Sequence, residues 1–598
     1  MKKILYIISI TLIILLTACN DAFMDRSPKT AIGIENFFKS EEDLRMYTYS
    51  LYDFPGPPIM VWDGEGTDDM ANTSNYELRN IMLSSDPSSS TVSGGWNWSQ
   101  LRKINIFLDN FRKADLPEEI LAHYEGVARF FRAKFYMEKV KRFSDVPWYD
   151  TEIGTGDDDL LYKGRDPRDM VVQKIFEDYE YAAKNVWEDE PSGAVDKWVV
   201  LAYEARHALH EGTFRKYHPE LNLQSTATTY LQIARDAAKE IMDNGGFAIY
   251  NTGNPESDYR ELFTSFDLTG NSEVILPTVS EYNVSNHTGI IYYWQQLFGD
   301  YDVSPTKGLM QDYLMADGTP YTQQPGYETK LFVEEFVDRD PRLKQTFAYP
   351  GWSNYQTAPD PYVQSLMQNF TGYHCIKNWI DSGDPEVYQN VDYPVLRLAE
   401  VLLIYAEARA ELGELTQEDL DLTINQLRDR AGMPHLNMGV AVDPVQQARY
   451  PDVTSGELLE IRRERRIELF AEGFRFDDLM RWKKGKLIEE EPKGIYFPGL
   501  GKYDLTGDSI PDIILIDISE DIPAPADKET NALGVPLIYY RAGPVGSDAS
   551  IWLSNGTEGY IVSDVERGTF VEPKYYYRPI PEHDVLINPN LTQIFDWR

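Results

Sequence analysis

Cys19 is the residue with the clearest chemistry to offer. It follows Leu16-Thr17-Ala18, which closes an apolar run from Ile4 to Leu16 preceded by Lys2 and Lys3. A run that short does not span a bilayer, and a positive start, an apolar middle and small residues before a cysteine make a lipoprotein signal. Cleavage after residue 18 and acylation of the Cys19 thiol and its new amino group would tether the chain by several acyl chains, which hold where one does not. A secretory peptide with a chance cysteine is the competing reading.

Other candidates could ligate a metal. His207, His210 and Glu211 share one helix face, but a transition-metal site needs three or four convergent ligands, so a helix face with histidines at its rim is the plainer reading. Asp504, Thr506, Asp508 and Asp512, in YDLTGDSIPD, set oxygens at alternate positions of a turn and resemble the start of a calcium loop. Ser509 stands where an EF-hand has glycine and Leu515 where it has its last acid, so an Asx-type turn competes with Ca2+, the one cofactor under consideration. The signatures GxxxxGK[ST], HExxH, GxSxG and CxxC are all missing. No enzyme is expected, although 96 acidic residues always offer carboxylate pairs and leave a surface-anchored glycoside hydrolase as an alternative. In residues 457–482, six arginines alternate with acids around Ile461, Leu469 and Phe470, which reads as a self-neutralising helix whose far end packs on Trp482.

Bulk charge narrows the ligand. The formal net charge is -39, and loss of the signal would remove Lys2 and Lys3 and no acid. Such a surface repels polyanions, so nucleic acid and acidic polysaccharide are poor partners and a neutral ligand is expected, unless a local basic cleft exists. Past Cys19 no run of apolar residues is long enough to span a membrane. Tyr outnumbers Phe, 39 to 26, which favours rings with a polar edge at half-wet surfaces.

These residues need a frame, and helical periodicity supplies one. Val127, Phe131 and Phe135 mark a helix over 118–142, Ile233, Ala237 and Ile241 one over 228–244, and Leu398, Leu402 and Tyr405 one over 395–412, flanked by alanines that permit close approach. Further helices are predicted over 169–186, 196–214, 418–431 and 456–472. Ser40 with Asp43, Thr416 with Asp419 and Thr454 with Glu457 are predicted capping pairs. Residues 84–95, 251–330, 345–394 and 483–575 read as long ordered loops and short strands rich in aromatics. The predicted class is mainly α, with tetratricopeptide-like helical hairpins forming a scaffold, long irregular aromatic-rich loops and a few short strands.

The segment ERRIELFAEGFRFDDLMRWKKG resembles the signature of the SusD-like (RagB/SusD) outer-membrane lipoproteins of glycan utilisation in Bacteroidetes. YPVLRLAEVLLIYAEARAELG (393–413), RDPRL (339–343), YYYRPIPEHDVLINPNLTQ (575–593), WNWSQLRKINIFLDN (96–110) and CNDAFMDRSP (19–28) are similar to other stretches of that family, in order along the chain. The long insertion near 483–575 departs from its pattern. The resemblance implies a signal over 1–18 and one SusD-like domain over 19–598, with an amino-terminal part to about 330 and a carboxy-terminal part from about 331. It further implies a lipid-anchored protein on the outer membrane, facing the exterior. Such a protein closes over a SusC-like TonB-dependent transporter and binds oligosaccharides without altering them.

A sugar needs a flat aromatic platform beside polar groups. Three stretches have that composition: Trp62 with Asp63, Asp68 and Asp69; Trp96 and Trp98 around Asn97; and Tyr282, Tyr292, Tyr293 and Trp294. For each ring the alternative is scaffold packing, most of all for Trp98 at a helix start. A helical scaffold that binds only protein is the third functional alternative.

Overall fold

The computed structural model describes residues 37–54, 66–71, 76–281, 304–353, 360–367, 369–380, 390–563 and 566–598. Its frame begins with helices α1 (Glu41–Tyr49), α2 (Glu77–Leu83), α3 (Ser99–Asn110), α4 (Glu118–Phe143), α5 (Arg168–Asn185), α6 (Lys197–Tyr217) and α7 (Ala227–Asn244). After a long excursion come α8 (Leu398–Leu412), α9 (Gln417–Leu422), α10 (Ile424–Arg430), α11 (Gly456–Glu468) and α12 (Arg475–Arg481). Packing runs in series: α3 on α4, α4 on α5, α5 on α6, α6 on α7, α7 on α8 and α8 on α11.

Two glycines set the spacing of this stack. A Cβ at Gly126 of α4 would come within 2.8 Å of Val186, just past the end of α5, and one at Gly212 near the end of α6 would come within 2.9 Å of the Leu231 backbone in α7. Each contact joins opposite ends of its two helices, so both pairs are antiparallel hairpins. The alanines of α8 act similarly: Ala399, Ala406 and Ala408 are fully buried.

Two of the three predicted capping pairs stand. Ser40 with Asp43 and Thr416 with Asp419 form reciprocal capping boxes. At α11 the cap is Ser455, which accepts from Leu458 N–H, while the Glu457 carboxylate accepts from Gly439 N–H. The helix predicted over 456–472 ends at Glu468, and helix boundaries differ more in two other places. Residues 393–397 form a strand, because they pair with Val274–Thr278, and the helix begins only at Leu398. The predicted helix over 418–431 is broken at Thr423, whose φ of -130° and ψ of -91° separate α9 from α10.

Strands appear as β1 (Met70–Ala71), β2 (Val274–Thr278), β3 (Ser304–Pro305) and β4 (Tyr393–Arg397), pairing β1 with β3 and β2 with β4, both antiparallel. The inserted region carries a six-stranded mixed sheet built from β5 (Tyr496–Phe497), β6 (Gly501–Tyr503), β7 (Ile513–Asp517), β8 (Ile538–Gly543), β9 (Ile551–Leu553) and β10 (Gly559–Val562). The strand order is β5-β10-β9-β8-β7-β6, with β7, β8 and β9 parallel. Ile513, Leu515, Ala542, Leu553 and Ile561 bury one face against Met310, Phe347 and Phe470. Among the described residues no helix is long and apolar enough to cross a membrane.

Candidate functional site

The arginine-rich segment is buried, and beside local pairs such as Arg463 with Glu460 several of its arginines reach outward to distant partners. Glu468, at the end of α11, accepts from Arg342 at 3.0 Å, Arg397 at 2.6 Å and Arg430 at 2.6 Å, every side chain at most 1% exposed. Arg397 also binds Glu273 and Glu472, and Lys377 binds Glu472. Burial would raise the Glu468 carboxyl, but Arg430, Arg397 and Arg342 outweigh it and hold the group well below the ordinary range. Arg481 of α12 forms a fork on Glu407 of α8, whose carboxylate also accepts from Trp482 Nε1 at 2.7 Å. This segment is the joint between the helical stack and the carboxy-terminal part.

One end of that joint organises a surface corner. Arg466 binds Asp69 at 2.7 Å and Asp312 at 2.5 Å, and Arg475 binds Asp68 at 2.7 Å. The Asp68 carboxyl, which burial alone would raise, is driven low by Arg466 and Arg475. Next in the chain, β1 pairs with β3, and Thr306 donates to the Asp69 and Asp68 carbonyls from its N–H and hydroxyl. Arg567 closes the back by donating to the Thr67 and Met70 carbonyls.

Beside this ladder lies a cleft of about 390 Å3, lined in part by Thr306, Lys307, Gln311, Lys493, Tyr560 and Arg567. Tyr560 on β10 faces Tyr496 on β5, with ring centroids 5.5 Å apart. The ammonium groups of Lys493 and Lys307 lie 5.1 and 5.7 Å from the Tyr560 centroid. Lys307 is pinned by Glu335 at 2.5 Å, and its N–H donates to the Lys493 carbonyl. A half-buried ring flanked by ammonium and amide groups can stack on the C–H face of a sugar and hydrogen-bond its hydroxyls.

The sequence-predicted residues fare differently. Asp69 must be corrected: it is 2% exposed and spent on Arg466, so it holds the corner together and is not open to a sugar. Trp96 and Trp98 are half-buried, 5.1 Å apart and edge-on, Trp96 against Phe143 and Trp98 against Phe135 and Tyr149. They join α3 to α4, as the scaffold alternative had it. Trp62, Tyr282, Tyr292, Tyr293, Trp294 and Cys19 lie outside the described residues. The anchors of those aromatic stretches are described: Thr67 to Ala71 on one side and Ser304 to Thr306 on the other meet in one ladder. Tyr560, Tyr496, Lys307 and Lys493 were not singled out from the sequence, though three of them sit in the aromatic insertion it flagged.

The metal candidates resolve into local hydrogen bonding. His207 Nδ1 pairs with the Tyr179 hydroxyl at 2.8 Å, and Glu211 pairs with Arg168 and Arg215. Burial leaves both histidines neutral, pushing His210 down to about 3 and His207 well below its usual value. They lie inside the stack, not at its rim. The Asp504 carboxylate accepts from the N–H groups of Thr506, Gly507 and Ser509, and Asp512 accepts from Leu505 and Thr506. Asp508 accepts from Ile510 N–H. That is the geometry of Asx turns, and among the described residues no group of three or more His, Cys, Asp or Glu side chains could hold a metal ion.

A sequence profile described as the SusD family matches residues 276–597, more than half of the chain. The chain belongs to the SusD family. Curated SusD-family relatives include SusD-like protein P38 of Formosa agariphila, 24% identical over 80% of this chain and 92% of that one. A SusD-like protein of Bacteroides ovatus is 22% identical over 99% of this chain and 98% of that one. Among solved structures, a SusD-like protein from Bacteroides fragilis superposes with a TM-score of 0.66 at 20% identity, over 96% of this chain and all of that one. A protein from the same species described as a SusD-like carbohydrate binding protein gives 0.62 at 22% identity, over 93% of this chain and all of that one. The matched SusD range includes RDPRL, whose Arg339 donates to the Met310 and Tyr313 carbonyls while Asp340 forks onto Arg342.

Proposed function

We propose that this SusD-family protein captures an oligosaccharide at the β1–β3 corner and delivers it to a SusC-like TonB-dependent transporter. In this reading it sits on the outer membrane facing the exterior, tethered through acylated Cys19. The carrying observation is the two-residue ladder that brings the anchors of both predicted aromatic stretches to one cleft containing Tyr560. Family membership and the carbohydrate-binding description of a structural relative support the ligand class.

The test is incubation of the protein with a panel of plant and host glycans, scoring retention and new reducing ends together. Retention without product is expected. New reducing ends would make it a hydrolase, and no interaction with any glycan would leave a protein-binding scaffold. Tyr560→Ala, at a half-buried ring, is expected to weaken binding by about 1–3 kcal/mol without unfolding the chain, and Trp294→Ala is expected to weaken it by a similar amount.

A further inference from the structure

A net charge of -39 argues for an uncharged ligand, yet one cleft is built the other way. A cleft of about 600 Å3 opens between α4, α12 and the carboxy-terminal segment, lined among others by Tyr76, Glu77, Lys139, Arg142, Phe476 and Arg578. Two of its cations share one carboxylate and a third stands apart. Arg142 binds Glu77 at 2.5 Å and Arg578 binds the same carboxylate at 2.9 Å. Lys139, only 8% exposed, has no carboxylate partner among the described residues. Its ammonium donates to the Gly95 carbonyl and lies 4.8 Å from the Phe135 centroid and 5.5 Å from that of Trp98.

The other charged side chains are one cation against two carboxylates, so the lining as a whole carries one surplus positive charge. Lys141 is held between Glu138 at 2.7 Å and Asp477 at 2.8 Å. His210, 5% exposed and stacked along Phe214, lines the same cleft, and its Nδ1 has no hydrogen-bond partner among the described residues. Burial, and after it Arg142, pushes Lys139 down to about 8, and burial lowers Arg578 despite Glu77. Tyr76 and Phe476, both half-buried, supply apolar walls, and the volume suits a ligand of about two sugar rings by the usual range of binding pockets.

We propose that this cleft binds the anionic group of an acidic saccharide, a hexuronate carboxylate or a sulfate ester, with Lys139 and Arg142 meeting the oxyanion and Tyr76 and Phe476 flanking its ring. The proposal rests on the glycan-capture reading and names the class of glycan. An oxyanion would give Lys139 the counter-charge it lacks, and a charge-assisted hydrogen bond in a half-closed cleft is stronger than the same contact in water.

The test is affinity electrophoresis of the full chain in gels containing polygalacturonate, sulfated galactan, neutral galactan or xylan, followed by calorimetry on the fragments retained. Retention by an acidic polymer is expected, with the uronate and sulfate gels telling the two anions apart. Lys139→Met and Arg142→Met should each weaken acidic binding by about tenfold or more and leave neutral glycans unaffected. Glu77→Gln should tighten acidic binding, a direction that misfolding cannot imitate. Retention by neutral polymers alone would overturn the proposal and leave glycan capture standing. Retention by none would overturn both. Acidic binding unchanged in all three variants would overturn the assignment to this cleft.

Discussion

Glu468→Gln is the sharpest probe of the buried joint. The substitution keeps shape and removes one charge from a site where three guanidinium groups converge within 3.0 Å and nothing is more than 1% exposed. At an effective dielectric near 20, each contact at about 4 Å between charge centres is worth about 4 kcal/mol, most of it cancelled by desolvation, and removing one partner from a buried pair costs about 3–5 kcal/mol net. For 598 residues with an unfolding entropy of about 2 cal/mol/K each, that corresponds to a fall in Tm of about 2–4 °C. The folded carboxyl lies below its unfolded value, so its contribution is present above the unfolded pKa and disappears as pH falls through the folded one. The gap between wild type and variant should therefore be full at pH 7 and shrink under strongly acidic conditions. Scanning calorimetry at both pH values is the assay, with Glu177→Gln as control, since the Glu177–Lys174 pair is 45% and 42% exposed and should contribute at most about 0.5 kcal/mol. A Glu468→Gln melting point within 1 °C of wild type, or one that does not depend on pH, would refute this account of the joint.

Gly212→Ala should destabilise the chain by about 1–2 kcal/mol, because overpacking on the Leu231 backbone outweighs the gain in helix propensity, whereas Gly156→Ala, with open space around it, should be neutral by the same melting measurement. Millimolar calcium should leave the melting temperature unchanged, since the Asp504 and Asp512 carboxylates already serve backbone N–H groups; a rise in Tm would restore the calcium loop. Cys19→Ser should move the protein from the membrane to the soluble fraction, and persistence in membranes would locate its anchor elsewhere.

What could be read from the chain divides by the range of the interaction. The capping boxes at Ser40 and Thr416 and the helices over 118–143 and 227–244 depend on neighbours within a few residues, and they came out as expected. Residues 393–397 are apolar enough for either periodicity, and only the partner strand at Val274–Thr278 makes them extended. The six-stranded sheet was hidden because its strands are two to six residues long and three of them pair in parallel across intervening loops. The charged segment misled for a related reason. Its spacing suggested partners on the same helix, and Arg463 with Glu460 is one such pair. Yet Arg462 binds Glu411, Arg466 binds Asp69 and Arg481 binds Glu407, contacts that no local pattern encodes. Asp69 was misassigned by the same blindness: an acid beside a tryptophan-bearing stretch suits a sugar until its arginine is known. Lys139 escaped notice because a lysine on an amphipathic helix is ordinarily solvated, and only the burial around Gly95 and Trp98 makes it unusual.

The β1–β3 ladder separates two kinds of change that evolution can make. Arg567 holds the Met70 carbonyl while Arg466 and Arg475 hold Asp69 and Asp68 just before β1, so the point where the chain enters the corner is set by the frame. Closing a longer insert between fixed ends is cheap, about 0.6 kcal/mol for each doubling of length. By closure entropy alone, adding residues before Gly66 or before Ser304 is cheap, while removing the arginines that hold the corner is not. A scaffold wired this way works as a socket, with the ladder and its arginines as the fixed part.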